Sequence, residues 1–196
     1  MKPMFSIALA FALLGSIGSA QATVWKQDNA HSQVKFSVTH MVISEVTGGF
    51  KNFDVTLTQG KDDFSGSTLE ATLKTASINT ENEMRDKHLR SDDFLNAEKY
   101  PTISFKSTSF EKTGENTYKI TGTLTIRDVT KPVVLDAKYL GQANDGNGNQ
   151  KAGFKATGSI SRFDYGVKWN KAIEAGGLIV SDKVELTFLM ELQKQK

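Results

Sequence analysis

The chain has 196 residues, with 24 Lys and Arg against 22 Asp and Glu, a formal net charge of +2, 38% hydrophobic residues and no cysteine. A chain of this length suits one domain, able to bury roughly 70% of the surface that it exposes when unfolded. The near balance of charge provides no basic stripe for nucleic acid, and the lack of cysteine excludes disulfide staples, thiol chemistry and thiolate zinc sites.

Residues 1–22 read as an export signal. Lys2 supplies the positive start, Phe5 to Gly15 is apolar, and Ala20-Gln21-Ala22 offers small residues at alternate positions for cleavage after Ala22. The apolar stretch is shorter than the roughly 20 residues of a membrane span. The expected mature domain is therefore 23–196, free in the periplasm, with no cysteine on which to attach a lipid.

The segments that follow alternate apolar and polar residues with period two, the pattern of antiparallel strands with a core on one side. Val34, Phe36 and Val38 share a parity that His40 continues, and Phe53, Val55 and Leu57 form the next run. Leu69, Ala71 and Leu73 follow. Thr80 then stands three residues before Glu83 at capping-box spacing, so a short helix is expected with Met84, His88 and Leu95 near one side and Glu81, Arg85 and Lys87 in water. Phe94-Leu95 would tuck against the strands, and Arg90 would pair with Asp92 or Asp93. Pro101 marks the return to extended chain.

Ile103 and Phe105 begin another strand, Tyr118, Ile120, Gly122, Leu124 and Ile126 the next, and Val133, Leu135, Ala137 and Tyr139 one more. Ala152, Phe154, Ala156, Gly158 and Ile160, and finally Val184, Leu186, Phe188 and Met190, bring the count to about eight. Hairpin turns are expected at Lys112–Asn116 and Asn144–Asn149. The second is not a calcium loop, because an EF-hand counted from Asp145 would need Gly and Glu where the chain has Gln150 and Ala156. The predicted fold is all-β, a single antiparallel barrel with a short helix near one end.

An eight-stranded outer-membrane barrel would share the signal, length and period. Its apolar face would be uniformly bulky, whereas here that parity is diluted by Ala71, Gly122, Ala137, Ala156 and Gly158, and the chain ends in Gln193-Lys194-Gln195-Lys196. A soluble barrel with apolar residues inside is expected. Its small inward residues fit either an internal cavity or the taper of a filled barrel. The helix fits either a moving lid or a fixed plug.

Catalytic signatures are absent: there is no Gly-Xaa-Ser-Xaa-Gly elbow, Walker loop or dinucleotide fingerprint. The histidines, His31, His40 and His88, lack the close spacing of a local zinc motif. A metal reading would require two or three of them to converge with a carboxylate such as Asp28 or Asp92, so they are read as structural or pocket-rim groups. Gly176-Gly177 reads as a flexible turn rather than a phosphate cradle. No enzyme activity, cofactor or metal is expected.

Three strings remain: Trp25-Lys26-Gln27-Asp28-Asn29-Ala30-His31-Ser32, Asp86-Lys87-His88-Leu89-Arg90-Ser91-Asp92-Asp93-Phe94-Leu95 with Lys99 to Phe105, and Arg127-Asp128-Val129-Thr130-Lys131-Pro132-Val133. With Arg162-Phe163-Asp164-Tyr165-Gly166, read also as a corner tied by an Arg to Asp pair, they resemble the YceI family. The resemblance spans the chain after the signal segment. It implies a lipocalin-like barrel and a ligand that is a polyisoprenoid, quinone-like or prenyl-phosphate, or another long-chain lipid, since a fatty acid or fatty amide of similar length satisfies the same physics. It favours a cavity over a filled interior, lined by Val34, Phe36, Val38, Phe53, Leu73, Phe105, Ile120, Leu124, Leu135 and Phe154, with His40, Met84 and His88 near its opening. Each five-carbon unit buried contributes roughly 3–4 kcal/mol, against about 4–15 kcal/mol lost on association, so a chain of about four or more units would be retained. Two other roles share the scaffold, a metal-dependent enzyme or stress protein and a protein-contact module. Exposed barrel edges also allow a homodimer.

Overall fold

The computed structural model describes residues 22–171 and 178–196. The expected export segment up to residue 21 and the Gly176-Gly177 pair lie outside the described residues. The strands are β1 Val24–Gln27, β2 Gln33–His40, β3 Ser44–Phe50, β4 Phe53–Thr58, β5 Thr68–Lys74, β6 Ile78–Asn79, β7 Thr102–Gly114, β8 Thr117–Ile126, β9 Val129–Asn144, β10 Gln150–Ser161 and β11 Val180–Lys194. One helix, α1 Glu83–Arg90, interrupts them, with two short 3-10 turns at Thr75–Ser77 and Arg162–Tyr165.

All pairings are antiparallel, in the order β1-β4-β5-β7-β8-β9-β10-β11, and β1 pairs β11 to close the ring. β2, β3 and β6 are not extra walls. β11 pairs β1 through Leu192–Lys194 and β2 through Val180–Leu189, so β1 and β2 are one wall broken at a corner. β3 with β4, and β5 with β6, are broken in the same way, because β3 pairs β2 while β4 pairs β1, and β6 pairs β3 while β5 pairs β4. The result is the expected all-β closed barrel of eight antiparallel walls.

The closing seam accounts for the Trp25–Ser32 string. Asp28 N–H donates to the Glu191 carbonyl (2.7 Å), and the Ser32 hydroxyl both donates to that carbonyl (3.1 Å) and accepts from Glu191 N–H (3.0 Å). The Asp28 carboxylate accepts from Ala30 N–H (2.9 Å), which fixes the corner, and pairs with the Lys151 ammonium across the seam (2.5 Å). His31 Nδ1 lies 3.3 Å from Asp28 and 3.7 Å from Glu191. Asp28, His31 and Glu191 thus come within reach of one another, with one histidine where the metal reading requires two or three. The cation between the two carboxylates is supplied by Lys151, which also sits 3.6 Å from Glu191.

The apolar parity points inward: Trp25, Val55, Leu57, Phe105, Ile120, Leu135, Ala152 and Phe154 are buried in a single core cluster. Outward positions on β9 and β10 carry Asp136, Lys138, Lys155, Thr157 and Ser159, all exposed. That polarity is the reverse of a lipid-facing barrel, where a Lys or Arg on the outer face costs up to about 2–4 kcal/mol at mid-bilayer. Among the described residues no helix is long and apolar enough to cross a membrane.

The two ends of the barrel differ. At the end holding the β4–β5 and β9–β10 connections, Phe64 from the loop between β4 and β5 is 1% exposed and packs on Trp25 (5.7 Å between ring centroids), Tyr139 (5.3 Å) and Phe154 (5.1 Å, edge-on). Its φ of +63°, uncommon for a bulky residue, is held by Ser67, whose hydroxyl donates to the Phe64 carbonyl at 2.6 Å. Tyr118 Oη donates to the Asp63 carbonyl and fastens the same loop. This aromatic floor seals one end, and α1 lies at the other.

The hydrogen bond from Lys151 holds the Asp28 carboxyl down at about 2. Because the folded-state value is below the ordinary 3.8, this contribution is complete above about pH 4 and is lost as pH falls through about 2. The partly exposed pair is expected to contribute about 1–2 kcal/mol. Asp28→Asn should therefore lower the urea unfolding free energy by that amount at pH 7, with the gap from wild type closing between about pH 4 and pH 2; a gap independent of pH would assign Asp28 a purely geometric role.

Candidate ligand-binding cavity

Above the aromatic floor the barrel encloses a cavity of about 720 Å³, within the usual range for a ligand site. Its wall is built almost wholly of aliphatic and aromatic side chains. β2 contributes Val34, Phe36, Val38 and His40, and β5 contributes Leu73. Phe105 comes from β7, Ile120 and Leu124 from β8, Leu135 from β9 and Phe154 from β10. Phe53 is different: it is 9% exposed and packed in the core, and its face is not part of the cavity wall. Val55 and Leu57, next on the same parity of β4, take that place.

The room does not come from the glycines. A Cβ on Gly122 would lie 2.5 Å from the Phe105 ring and 2.5 Å from the Lys106 carbonyl, and one on Gly158 would lie 2.6 Å from the Leu135 side chain. These glycines let neighbouring side chains lie flat on the sheet, so the space they vacate is already filled. Ala71, Ala137 and Ala156 do line the cavity. Small inward residues thus divide into two classes that parity alone does not separate.

The mouth is formed by α1, the turn between β2 and β3, and the segment after β10. The N-cap of α1 is Asn82, whose side chain accepts from Arg85 N–H (3.0 Å), rather than Thr80. Thr80 is instead buried and is bound by Asp86, which accepts from its N–H (2.8 Å) and its hydroxyl (2.6 Å). Arg85 reaches back over the same residue, with Nε to Thr80 Oγ1 (2.7 Å) and Nη2 to the Thr80 carbonyl (2.7 Å). The buried member of α1 is therefore Asp86. Met84 borders the mouth but is 82% exposed, because the Thr80–Asp86 link turns the opposite face of the helix inward.

His88 lines the mouth, bonded to Asp93 (2.9 Å) and packed edge-on against Phe94 (4.9 Å) and Trp169 (5.1 Å). Phe94 is buried as expected, and Leu95 is half-buried. The helix end is tied differently from the predicted Arg90–Asp pairs: Arg127, from the turn between β8 and β9, donates to the Phe94 carbonyl (2.8 Å) and pairs with Asp92 (3.3 Å), while Arg90 reaches the Ile78 carbonyl. Two family strings thus meet at this rim.

Arg162 replaces the expected Arg to Asp corner with backbone recognition. Its guanidinium, 6% exposed, donates to the carbonyls of Val167 (2.7 Å), Trp169 (2.8 Å), Ser181 (2.9 Å) and Val180 (3.0 Å). Burial pushes it below its ordinary value, yet an arginine this far above neutrality stays charged. Asp182 serves the neighbouring backbone, accepting from Ser161 Oγ (2.8 Å) and Phe163 N–H (3.0 Å). Tyr165, 2% exposed, also lines the cavity, and burial holds its hydroxyl neutral by pushing its pKa up to about 12. Trp169 and the floor residue Phe64 escaped sequence reasoning as site residues because they stand in irregular segments without parity; an isolated aromatic in a polar loop was the available signal.

A closed antiparallel barrel with one sealed end, an apolar interior and a helix at its mouth defines a lipocalin-like binding barrel. The chain belongs to the YceI family: the YceI-like domain matches residues 25–192. Protein YceI of Escherichia coli is 44% identical over 165 residues, covering 83% of this chain and 86% of that protein. The crystal structure of the Campylobacter jejuni YCEI protein superposes with a TM-score of 0.70 at 37% identity, covering 81% of this chain and 90% of that one. A polyisoprenoid binding domain from Saccharophagus degradans, implicated in plant cell wall breakdown, shares the fold at 14% identity, with a TM-score of 0.65, covering 89% of this chain and 100% of that one.

The contrast between alanine and glycine gives a test of the cavity wall. Ala156→Phe should fold with a loss of about 1–3 kcal/mol and take up less of a hydrophobic fluorophore, since its ring enters open space. Gly122→Phe should lose considerably more stability, because its Cβ meets backbone. Equal losses in urea titrations would show that the wall is misassigned.

Proposed function

We propose that this protein is exported to the periplasm, where its barrel binds a long-chain amphiphilic isoprenoid and carries or stores it without chemical change. The observation that carries this reading is the apolar cavity of about 720 Å³, with the buried Phe64 floor at one end and α1 residues lining the other. Such a shape takes a hydrocarbon tail first and leaves a polar head at the rim. Membership of the YceI family and the shared fold of a polyisoprenoid binding domain support the choice of cargo.

Affinity in such a site grows with chain length, since each buried methylene adds about 0.8 kcal/mol while the loss of translational and rotational freedom is met once. Native mass spectrometry of protein recovered from its own periplasm is expected to show one prenyl lipid per chain. Re-loading of stripped protein should rise steeply between prenols of two and four isoprene units, and Ala156→Phe should retain less. Protein that leaves the cell empty and takes up none of these prenols would sink the proposal.

A further inference from the structure

The cavity wall carries ionisable groups of one sign only. Lys35, His40, Arg85, His88 and Arg162 line it, and among the described residues no Asp or Glu does. Lys35 lies on the outward parity of β2 and is exposed, so the functional set is the other four, all at the α1 end. They form a connected rim. His40 pairs in register with Val180, whose carbonyl accepts from Arg162 (3.0 Å). Arg162 in turn binds the carbonyl of Trp169, whose ring meets His88 (5.1 Å), and Arg85 stands one turn before His88 on α1.

Much of this donor capacity is unspent. Arg85 uses Nε and one Nη2 hydrogen on Thr80, which leaves both Nη1 hydrogens and the second on Nη2 without a partner among the described residues. Arg162 spends four of its five N–H groups on carbonyls and has no carboxylate within ion-pair distance among the described residues. The His40 ring and the Tyr165 hydroxyl, the latter on a residue 2% exposed, make no hydrogen bond among the described residues. Four described carboxylates near this end are engaged with partners of their own: Asp86 with Thr80, Asp92 with Arg127, Asp93 with His88 and Asp182 with Ser161. A cationic rim on an apolar tube, with open donors and no acidic lining among the described residues, is complementary to an amphiphile whose head is an anion.

We infer that the mouth is an anion-reading site, in which Arg85 and His40, backed by the buried charge of Arg162, hold the phosphate or carboxylate head of the lipid whose chain fills the barrel. This rests on the lipid-binding reading above and narrows it, selecting prenyl phosphates and other acidic amphiphiles over neutral quinones and alcohols. Arg85 is the main specificity determinant, because its open donors are on a flexible, half-buried side chain, while Arg162 is fixed by its four carbonyls.

The test compares geranylgeranyl monophosphate, geranylgeraniol and palmitate as competitors for a fluorophore bound in the stripped wild-type protein. The phosphate is expected to bind about ten- to a hundredfold more tightly than the alcohol of the same chain, the scale of charge-assisted hydrogen bonds, with the ratio falling as salt is added. Palmitate separates a general anion site from one shaped to phosphate. Arg85→Met and His40→Leu should each reduce the phosphate-to-alcohol ratio, with folding checked by near-UV circular dichroism. Equal affinities in the wild type overturn the inference while leaving the cargo reading intact, as does a ratio retained in both variants. Failure of every prenyl probe to bind overturns the cargo reading itself and this inference with it.

Discussion

Closure of the ring depends on one strand being long enough to serve two. β11 extends over Val180–Lys194 and pairs β10 along one edge, while the other edge is shared between β2 and β1. The handover occurs at Glu191, whose backbone binds Asp28 N–H and the Ser32 hydroxyl, so that the corner between β1 and β2 is bridged without an unpaired peptide group. Without that corner the first wall would run on in one direction and the sheet would expose two edges, each a template for pairing with other chains. Cavity, floor and rim all inherit their positions from this join.

The join explains why the barrel is a cup rather than a tube. Below the corner, Trp25, Phe64, Tyr139 and Phe154 fill the lumen with ring-to-ring contacts, and Phe64 adopts a left-handed backbone to reach its place. Such strain persists only where surrounding contacts over-determine it. Above the corner the cavity wall mixes Val, Leu, Ile and Ala with Phe36, Phe50, Phe105 and Phe188 around an open space. A filled end and a hollow end in one chain therefore follow from where the Phe64 loop enters the lumen.

Much of this was legible in the sequence. Period-two alternation gave the walls and which side of each faces in, and His40, on the parity of Val34, Phe36 and Val38, does lie on the cavity. The broken walls were not legible, because β1, β3 and β6 are short or glycine-bearing and owe their extended shape to partners rather than to pattern. At Gly48 and Gly49, for example, a Cβ would meet the Phe36 ring and the Val34 carbonyl, so glycine there is dictated by a neighbour distant in sequence. The same limit misled the reading of Gly122 as spare volume and of Thr80 as a cap. A side chain's own sequence context says which way it points, but what already occupies the space in front of it is a tertiary fact.

The strings that mark the family sort accordingly. Asp28 to Ser32 locks the seam, Arg127 ties the turn between β8 and β9 to the end of α1, and Arg162 gathers the carbonyls of the chain that leads into β11. Each is a polar device at an end of the barrel, where strand pairing stops and backbone groups would otherwise lack partners. This gives the mouth a chemistry that the wall cannot have. An aliphatic wall measures chain length but is indifferent to the head, whereas buried donors that keep a spare hydrogen distinguish one head from another, because a head that fails to accept leaves them unpaired. Structural anchoring and selectivity thus draw on the same arginines: the bonds that fix the rim also hold its charge at the edge of an apolar cavity, where water screens it least.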